Sequence, residues 1–588
     1  MLHSLPRARA LLAFALLASC ASAGTRYVNV ALATGANDGS SWTDAFRGPT
    51  GLQAALAAAL PGDQIWVARG TYLPSATVAP AVSFELPAQV ELYGGFAGGE
   101  TQLEQRDRVL NPTILSGDVN GDDASQQFAD NSRHVVHCTG LLVSTVLDGF
   151  LVSGGRASIA QRGGGLFADQ AVGLRVRNCT FRSNMAWSAG GGVATFVCND
   201  VVFERTIFEL NESLGVGGGC SSLSDPSLVF DRCSFVSNVA GEGGGLEIVQ
   251  GNVTLTSCVF FDNEALDPAL EGGGAIYVGS GLGFQVTIQA STIVGNRSLQ
   301  AGSGGVQGTA SLVNSIVYFN QGPGGSMSSA ANITGLGSVS WCCVQGGHAG
   351  PGNLSTDPQF VSLASGDLHL ANLSPCCDAG NNVQLPGGAL WDIDGKLRRI
   401  DNPAVLDTGV GSAPLVDLGA HEAPNLLFTS FCPGDGTQAT PCPCGNNGAS
   451  GRGCAASDFF SIGASVSAAG AVNPDTVRLD CTDMLASVTC VFLQGDQQNP
   501  AGVVFGDGVR CVAGALERLY VKNASGGAAS VPGAGDPSVS ARSAALGDTI
   551  APGSVRCYQV YYRDPDLAFC PAPAGNGWNV SSGLILQW

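Results

Sequence analysis

Lysine is almost missing from this chain of 588 residues, in which Lys396 and Lys522 are the only two. Charged residues of all kinds make up 13% of the sequence, Asp and Glu outnumber Lys and Arg by 47 to 27, and the net charge is −20. So few cations cannot form a basic stripe, which excludes a nucleic-acid-binding surface. Beyond the N-terminal stretch, no apolar run is long enough for a transmembrane helix. Sustained 3.6-residue periodicity is missing as well, which excludes helical-pair and leucine-rich solenoids. Helical character is confined to one alanine-rich stretch, Gly51 to Leu60, stopped by Pro61-Gly62.

Glycine, by contrast, is in excess at 83 residues, far above the usual share of about 7%. No collagen period accompanies it, so the glycines belong to turns. Many fall in a repeated phrase. Asn178-Cys179-Thr180-Phe181-Arg182-Ser183-Asn184 leads to Gly190-Gly191-Gly192, and Thr206-Ile207-Phe208-Glu209-Leu210-Asn211 to Gly217-Gly218-Gly219. Cys233-Ser234-Phe235-Val236-Ser237-Asn238 leads to Gly243-Gly244-Gly245, and Cys258-Val259-Phe260-Phe261-Asp262-Asn263 to Gly272-Gly273-Gly274. Weaker copies end at Asn296 and Asn320. The asparagines Asn184, Asn211, Asn238, Asn263, Asn296 and Asn320 are 27, 27, 25, 33 and 24 residues apart.

A period in the twenties predicts a solenoid, in which each unit buries its apolar face only on its neighbours. Segments such as Leu174-Arg175-Val176 and Val201-Val202-Phe203 read as strands. Three short strands with turns fill one coil of a parallel β-helix. Coils would then stack roughly 4.8 Å apart, placing Phe181, Phe208, Phe235 and Phe260 in an aromatic column. The six asparagines would form an amide ladder at a bend, satisfying turn carbonyls and N–H groups. The Gly-Gly-Gly runs supply left-handed or strained backbone without a Cβ penalty.

Met1 to Ala23 reads as a secretory signal, with Arg7 and Arg9 before an apolar Ala10 to Ala18 and an Ala21-Ser22-Ala23 cleavage site. Leu17-Ala18-Ser19-Cys20 also matches a bacterial lipobox, and cleavage there would leave Cys20 lipidated and the chain tethered to a membrane. The spacing of Ala21-Ser22-Ala23 from the apolar region favours soluble export. Twenty cysteines in an exported chain imply disulfides. Cys179, Cys233 and Cys258 share one repeat position, a poor geometry for bridging, and read as a buried reduced column.

The repeats resemble the right-handed parallel β-helix family, and their phrasing is similar to that of polymorphic outer-membrane proteins. Further motifs run in order: Asn37-Asp38-Gly39-Ser40-Ser41-Trp42, Pro61 to Tyr72, Tyr93-Gly94-Gly95-Phe96 and Pro112 to Asp118. Towards the other end come Asn353 to Val361, Ser374 to Gly380 and Asp417-Leu418-Gly419-Ala420-His421-Glu422. Together they resemble proteins with the choice-of-anchor Q domain over roughly residues 25 to 423. The resemblance implies an exported β-helix attached by various C-terminal devices, and no defined activity. The chain departs from the family at Cys377, where an aliphatic residue is usual. Cys343 and Cys376 look like a disulfide pair closing the last coils, with Cys342 and Cys377 forming a second bridge or competing for the first.

The resulting division is a signal at residues 1–23, an N-terminally capped β-helix at 24–423 whose coils begin at Asp63, and a second module at 424–588. Cys432, Cys442, Cys444 and Cys454 crowd the start of that module. A four-thiolate zinc site would need paired C-x₂-C knuckles, which are missing, so two disulfides pinning a loop are expected. The strands Thr476 to Asp480, Val488 to Leu493, Leu516 to Val521 and Tyr558 to Arg563, separated by Gly/Pro loops, indicate a β-sandwich. The expected fold class is therefore all-β: a right-handed parallel β-helix followed by a disulfide-containing sandwich.

For chemistry, Asp200, Glu204, Arg205, Asp231 and Arg232 share a face by repeat position and are the candidate ligand-binding residues. The competing reading is a solvated ladder of opposite charges. Other carboxylates of the repeats are Glu242, Glu247, Asp262, Glu264 and Glu271. Asp118, Asn120 and Asp122 alternate like the start of a Ca²⁺ loop, although the closing Glu of an EF-hand is missing. No other cofactor is indicated. His134 and His137 would face opposite sides of a strand, and His348, His369 and His421 are scattered. Trp42, Trp187 and Trp341 are loop aromatics. No G-x-S-x-G elbow appears. The expectation is an exported cell-surface or secreted protein, adhesin-like or structural, with polysaccharide or surface-protein partners and no catalytic residues. The alternative is a polysaccharide lyase or glycoside hydrolase acting in a groove of the β-helix.

Overall fold

The computed structural model describes residues 23–588 except 268, 280, 282, 300–301, 336, 372, 386–390, 403–404, 424–427, 459–460, 470–471, 473–474, 552 and 572–574. The expected signal and the lipobox Cys20 lie outside the described residues. The chain forms two compact units. The first runs to Val339 and takes in Val344–Gly350; the second comprises Ser340–Cys343 and Pro351–Trp588. Ala423 therefore falls inside the second unit.

The first unit is a parallel β-helix. One coil illustrates it: strands Leu174–Arg177, Thr180–Arg182, Met185–Ala186 and Val193–Phe196, after which Val201–Glu204 opens the next coil. Equivalent strands pair in parallel and in register, as in Val176↔Phe203↔Phe230↔Leu255↔Ile288. They build three long sheets and a fourth of two-residue strands. In the long sheets, inward residues such as Leu174, Val176, Val201 and Phe203 are buried and their neighbours are partly exposed, as the two-residue period of a strand requires.

The coils begin one rung earlier than Asp63. Thr25–Asn29 already pairs in parallel with Gln64–Ala68. Asp63 ties the two together: Oδ1 accepts from Gly24 N at 2.9 Å and Oδ2 pairs with Arg26 Nε at 2.7 Å. The helix Gly51–Ala58 buries Leu52, Ala55 and Leu56 beside this first rung.

Three columns hold the interior. Phe208, Phe235 and Phe260 stack with centroids 4.4 Å apart at 4° and 3°, with Phe181 next in line at 5.7 Å. A second pair, Phe203 and Phe230, stacks at 5.1 Å. Asn184, Asn211, Asn238, Asn263, Asn296 and Asn320 are buried, and each accepts the backbone N–H of the asparagine one coil before it at 2.9–3.1 Å, except that Asn184 accepts from Gly155. The ladder continues to Asn332, which accepts from Asn320 N at 3.3 Å.

The third column is sulfur and hydroxyl. Cys179, Thr206, Cys233 and Cys258 occupy one position, and each donates to a backbone carbonyl of the preceding coil: Leu147, Val176, Phe203 and Phe230. The thiols are free and buried, and burial pushes Cys179 up to about 12. The glycine triplets work in two ways. Gly190 has φ +68°, left-handed backbone. Gly191 does not, but a Cβ there would strike the carbonyl of Glu212.

The second unit carries antiparallel strands. Phe428–Phe431, Gly583–Gln587, Val555–Arg563, Thr489–Gly495 and Glu517–Asn523 form one sheet, and Ser465–Ala469, Arg478–Thr482 and Ala529–Val531 another. One core lies between them, with Val466, Leu479 and Val531 from one sheet and Phe492, Leu519, Tyr558 and Tyr562 from the other. All four crowded cysteines are disulfide-bonded, so none is a zinc thiolate. Cys442 pairs with Cys454, but Cys432 pairs with Cys511 and Cys444 with Cys570. The distant partners arrive through the sheets: Cys511 lies in strand Gly508–Ala513, against which Cys432 packs.

The expected bridge between Cys343 and Cys376 is not formed, and neither Cys342 nor Cys377 is disulfide-bonded. Cys343 Sγ donates instead to Thr356 O at 3.1 Å, and its thiol lies beside that of Cys376, which burial and this neighbour push well above the ordinary range.

Candidate functional site

Of the five charged residues expected to bind a ligand, Glu204, Arg205, Asp231 and Arg232 lie at the C-terminal ends of two adjacent central strands of the first long sheet, Val201–Glu204 and Leu228–Asp231, and Asp200 precedes the first of these. The sheet's outward row reads Asp148↔Arg177↔Glu204↔Asp231↔Thr256. Glu204 is the hub: Arg205 and Arg232 reach Oε1 at 3.0 and 2.9 Å, and Arg177 Nε lies 3.4 Å from Oε2. Arg232 also pairs with Asp231 at 2.9 Å, and Arg106 with Asp148 at 3.1 Å. Asp200 stands apart, paired with Arg175 at 2.7 Å. Four of the five residues are thus brought together, but as mutually neutralising ion pairs. Such a ladder holds coils in register and leaves no carboxylate of Glu204, Asp231 or Asp200 uncommitted.

A second face was not singled out from the sequence. In the third long sheet, one row of paired residues runs Glu85↔His137↔Phe167↔Ala194↔Ser221↔Glu247↔Tyr277↔Gln307↔Thr334; it is partly exposed at both ends and buried at Ala194, Ser221 and Glu247. Nine strands at about 4.8 Å spacing give a row about 38 Å long. Near one end is a cavity of about 380 Å³ lined by His134, Gln161, Arg162, Phe167, Asp169 and Phe196. The Arg162 guanidinium lies 5.4 Å from the Phe196 ring centre, a cation–π contact. His134 and His137 both approach the Phe167 ring, at 5.4 and 5.6 Å, and stack on each other at 5.8 Å. The two histidines therefore share one side rather than facing apart, because the strand begins only at Val136 and His134 precedes it. The signal for this groove was the residue pair Phe167 and Asp169 after Gly163-Gly164-Gly165, and Phe196 after Gly190-Gly191-Gly192.

Further along the row, Ser221 Oγ donates to Glu247 Oε2 at 2.5 Å. Glu247 is 5% exposed, and its burial pushes the carboxyl up to about 7. Glu242, also buried, accepts from Glu271 N at 2.7 Å and is raised by burial. Of the loop tryptophans, Trp42 packs on Tyr27 and Phe96 and donates Nε1 to Glu100 O. Trp341 packs on Gly352. Trp187 is 46% exposed, and its backbone N–H donates to Ala157 O on the preceding coil.

Three acid-containing clusters remain. Asp118, Asp122 and Asp123 place carboxylate oxygens within 4.8 Å of one another, an oxygen-only set that suits a hard cation. Asn120 joins through its backbone, donating to Asp130 Oδ2 at 2.8 Å. Asp118 already accepts from Gly121, Asp122 and Asp123 N–H groups. Asp378, Asp401 and Asp407 form a second group; burial first and then its acidic neighbours push Asp378 up to about 7. The third joins His369, Asp394 and His421, two of the histidines that are scattered in sequence. Burial, with the neighbouring His369, pushes His421 down to about 4.

Residues 156–321 match the family described as right handed beta helix region. Among solved structures, the chain is similar to pectate lyase Pel9A at 15% identity and TM-score 0.40, covering 68% of this chain and 96% of that one. It is also similar to the enzymatically active domain of tailspike protein 4 of bacteriophage CBA120, at 11% identity and TM-score 0.20, covering 93% and 68% respectively. Neither similarity bears on activity. No curated protein matches the chain.

Proposed function

We propose that this is an exported cell-surface or secreted β-helix protein of the choice-of-anchor type that binds polysaccharide along the outer face of its third long sheet. The observation that carries the reading is the groove at Phe167 and Phe196. Two aromatic rings on adjacent coils, flanked by Arg162, Asp169 and His134, offer apolar faces for sugar rings and polar groups for their hydroxyls. Partly exposed Tyr277, Gln307 and Thr334 lie further along the same row, so a polymer long enough to reach them gains further weak contacts. Three disulfides in the second unit suit an oxidising compartment.

A second reading, cleavage of the polymer, is favoured by Glu247. A carboxyl that holds its proton to about 7 is what a general acid requires, and it stands in the same row as Phe167. Its burial and its bond to Ser221 support the binding reading over this one.

The test uses purified protein of residues 24–588 on a panel of neutral and acidic polysaccharides, with and without Ca²⁺. Retention that is lost in Phe167→Ala and Phe196→Ala, without new chain ends, is the expected result. New chain ends, abolished by Glu247→Gln, would replace it with the cleavage reading. No retention on any polymer would overturn both and leave a surface-protein adhesin or an envelope stalk.

A further inference from the structure

His369, Asp394 and His421 are far apart in the chain, and three different segments deliver them. His369 lies in strand Asp367–Leu370. Asp394 sits in a turn that Asp392 holds: Asp392 N donates to Lys396 O at 2.8 Å, and Lys396 N to Asp392 Oδ1 at 2.7 Å. His421 follows the Asp417 loop, clamped by Ala423 N on Asp417 Oδ2 at 2.6 Å and Glu422 N on Asp392 Oδ2 at 3.1 Å. The three side chains are therefore carried on backbone that is already fixed, as a preorganised site requires.

Their geometry is close. One nitrogen of each imidazole and one Asp394 oxygen lie within 4.8 Å of one another, and the two imidazole centroids are 4.3 Å apart. His369 Nε2 is 2.7 Å from Asp394 Oδ2. His421 is 91% buried by its 9% exposure, and its Nδ1 has no hydrogen-bond partner. A buried polar atom left unpaired is destabilising, so a fold that retains one at such a cluster needs a reason.

We propose that His369, Asp394 and His421 bind one divalent transition-metal ion of the Zn²⁺ class. Two imidazoles and one carboxylate are a borderline-soft donor set that suits Zn²⁺ and disfavours Ca²⁺, which takes oxygen ligands. Three protein ligands leave a fourth position for water. Asp367 serves as the outer partner: its Oδ1 is 2.6 Å from His369 Nδ1, the carboxylate–imidazole contact that orients a ligating histidine. On binding, the proton that His369 shares with Asp394 leaves to solvent. Lys396, 3.2 Å from Asp394 Oδ2 with a side chain 47% exposed, gives up its ion pair to the metal.

The test is equilibrium dialysis of the residue 24–588 protein with Zn²⁺ at neutral pH, with Co²⁺ absorption as a second readout of nitrogen coordination. One Zn²⁺ per chain is expected, at least ~100-fold weaker in His369→Ala and in Asp394→Asn and about tenfold weaker in Asp367→Asn. Asp394→Asn changes no volume, so the test survives if a histidine variant fails to fold. The proposal is overturned if no Zn²⁺ binds, if the three variants bind as tightly as the parent (placing the ion elsewhere, as at His134 and His137), or if equimolar Ca²⁺ displaces it. No polysaccharide enters the assay, so its outcome is independent of the glycan reading.

Discussion

Asn238 Nδ2 is 2.9 Å from Asn263 Oδ1, and the backbone N of Asn238 is 3.0 Å from the same oxygen. Asn238 Nδ2 also reaches Phe208 O at 2.8 Å, while Asn238 Oδ1 takes the backbone and amide donors of Asn211 at 3.1 and 3.0 Å. Every polar atom of this fully buried amide is used. Asn238→Ala would strand several partners, each costing about 1–3 kcal/mol, so a loss of about 3 kcal/mol or more is expected in urea unfolding. Asn238→Asp keeps the shape but cannot donate to Phe208 O or Asn263 Oδ1, and is expected to be as costly. A tolerated Asp would mean that the ladder contributes shape alone.

This ladder was legible because its residue type and spacing repeat together. The Phe181–Phe260 column was legible for the same reason. The Phe203–Phe230 pair was not singled out because it spans only two coils. The groove escaped because it rests on residues that differ from coil to coil: Phe167 is followed one rung later by Ala194 and then Ser221. Cys511 and Cys570 could not be assigned to Cys432 and Cys444 because sheet pairing, not sequence proximity, brings them together. The same holds for His369 and His421, which are 52 residues apart by number and meet only in the folded second unit.

Stability should fall as pH rises through neutrality. Glu247 and Asp378 titrate near 7 in the fold against 4.5 and 3.8 ordinarily. Between about pH 4 and 7 the folded chain therefore holds protons that the unfolded chain has released, so the slope of stability with pH is negative there. The urea midpoints of the first unit, which holds Glu247, and of the second, which holds Asp378, are both expected to be higher at pH 5 than at pH 8; in the second, His421, neutral in the fold down to about 4, opposes the trend by the smaller amount. Glu247→Gln, which keeps the shape without the charge, should raise the pH 8 midpoint and flatten the dependence. A midpoint that is unchanged or higher at pH 8 would contradict the burial of these acids.

Thiol counting tests the cysteine pattern. The described residues hold 13 cysteines outside the three disulfides, all buried. Burial pushes Cys179 and Cys198 up to about 12, so few thiolates exist at neutral pH. A thiol reagent should label almost nothing in the native protein and 13 positions after denaturation without reductant. A count of 11 would mean that two of these thiols had joined, and peptide mapping would show whether they are Cys343 and Cys376.

Reductant should separate the two units. Every disulfide among the described residues lies in the second unit, closing separations of 79, 12 and 126 residues. In the chain-entropy account the short loop contributes about 3 kcal/mol and the longest nearly 5. The first unit depends instead on amide, aromatic and thiol columns that reductant does not touch. Calorimetry with and without a phosphine reductant is expected to lower the transition of the second unit and leave that of the first in place. Cys444→Ser with Cys570→Ser should reproduce the largest single share of the shift, about two fifths, Cys432→Ser with Cys511→Ser nearly as much, and Cys442→Ser with Cys454→Ser the smallest part. Equal shifts of both transitions would mean that the units melt as one cooperative body, in which the coils of the first depend on the cross-linked sheets of the second.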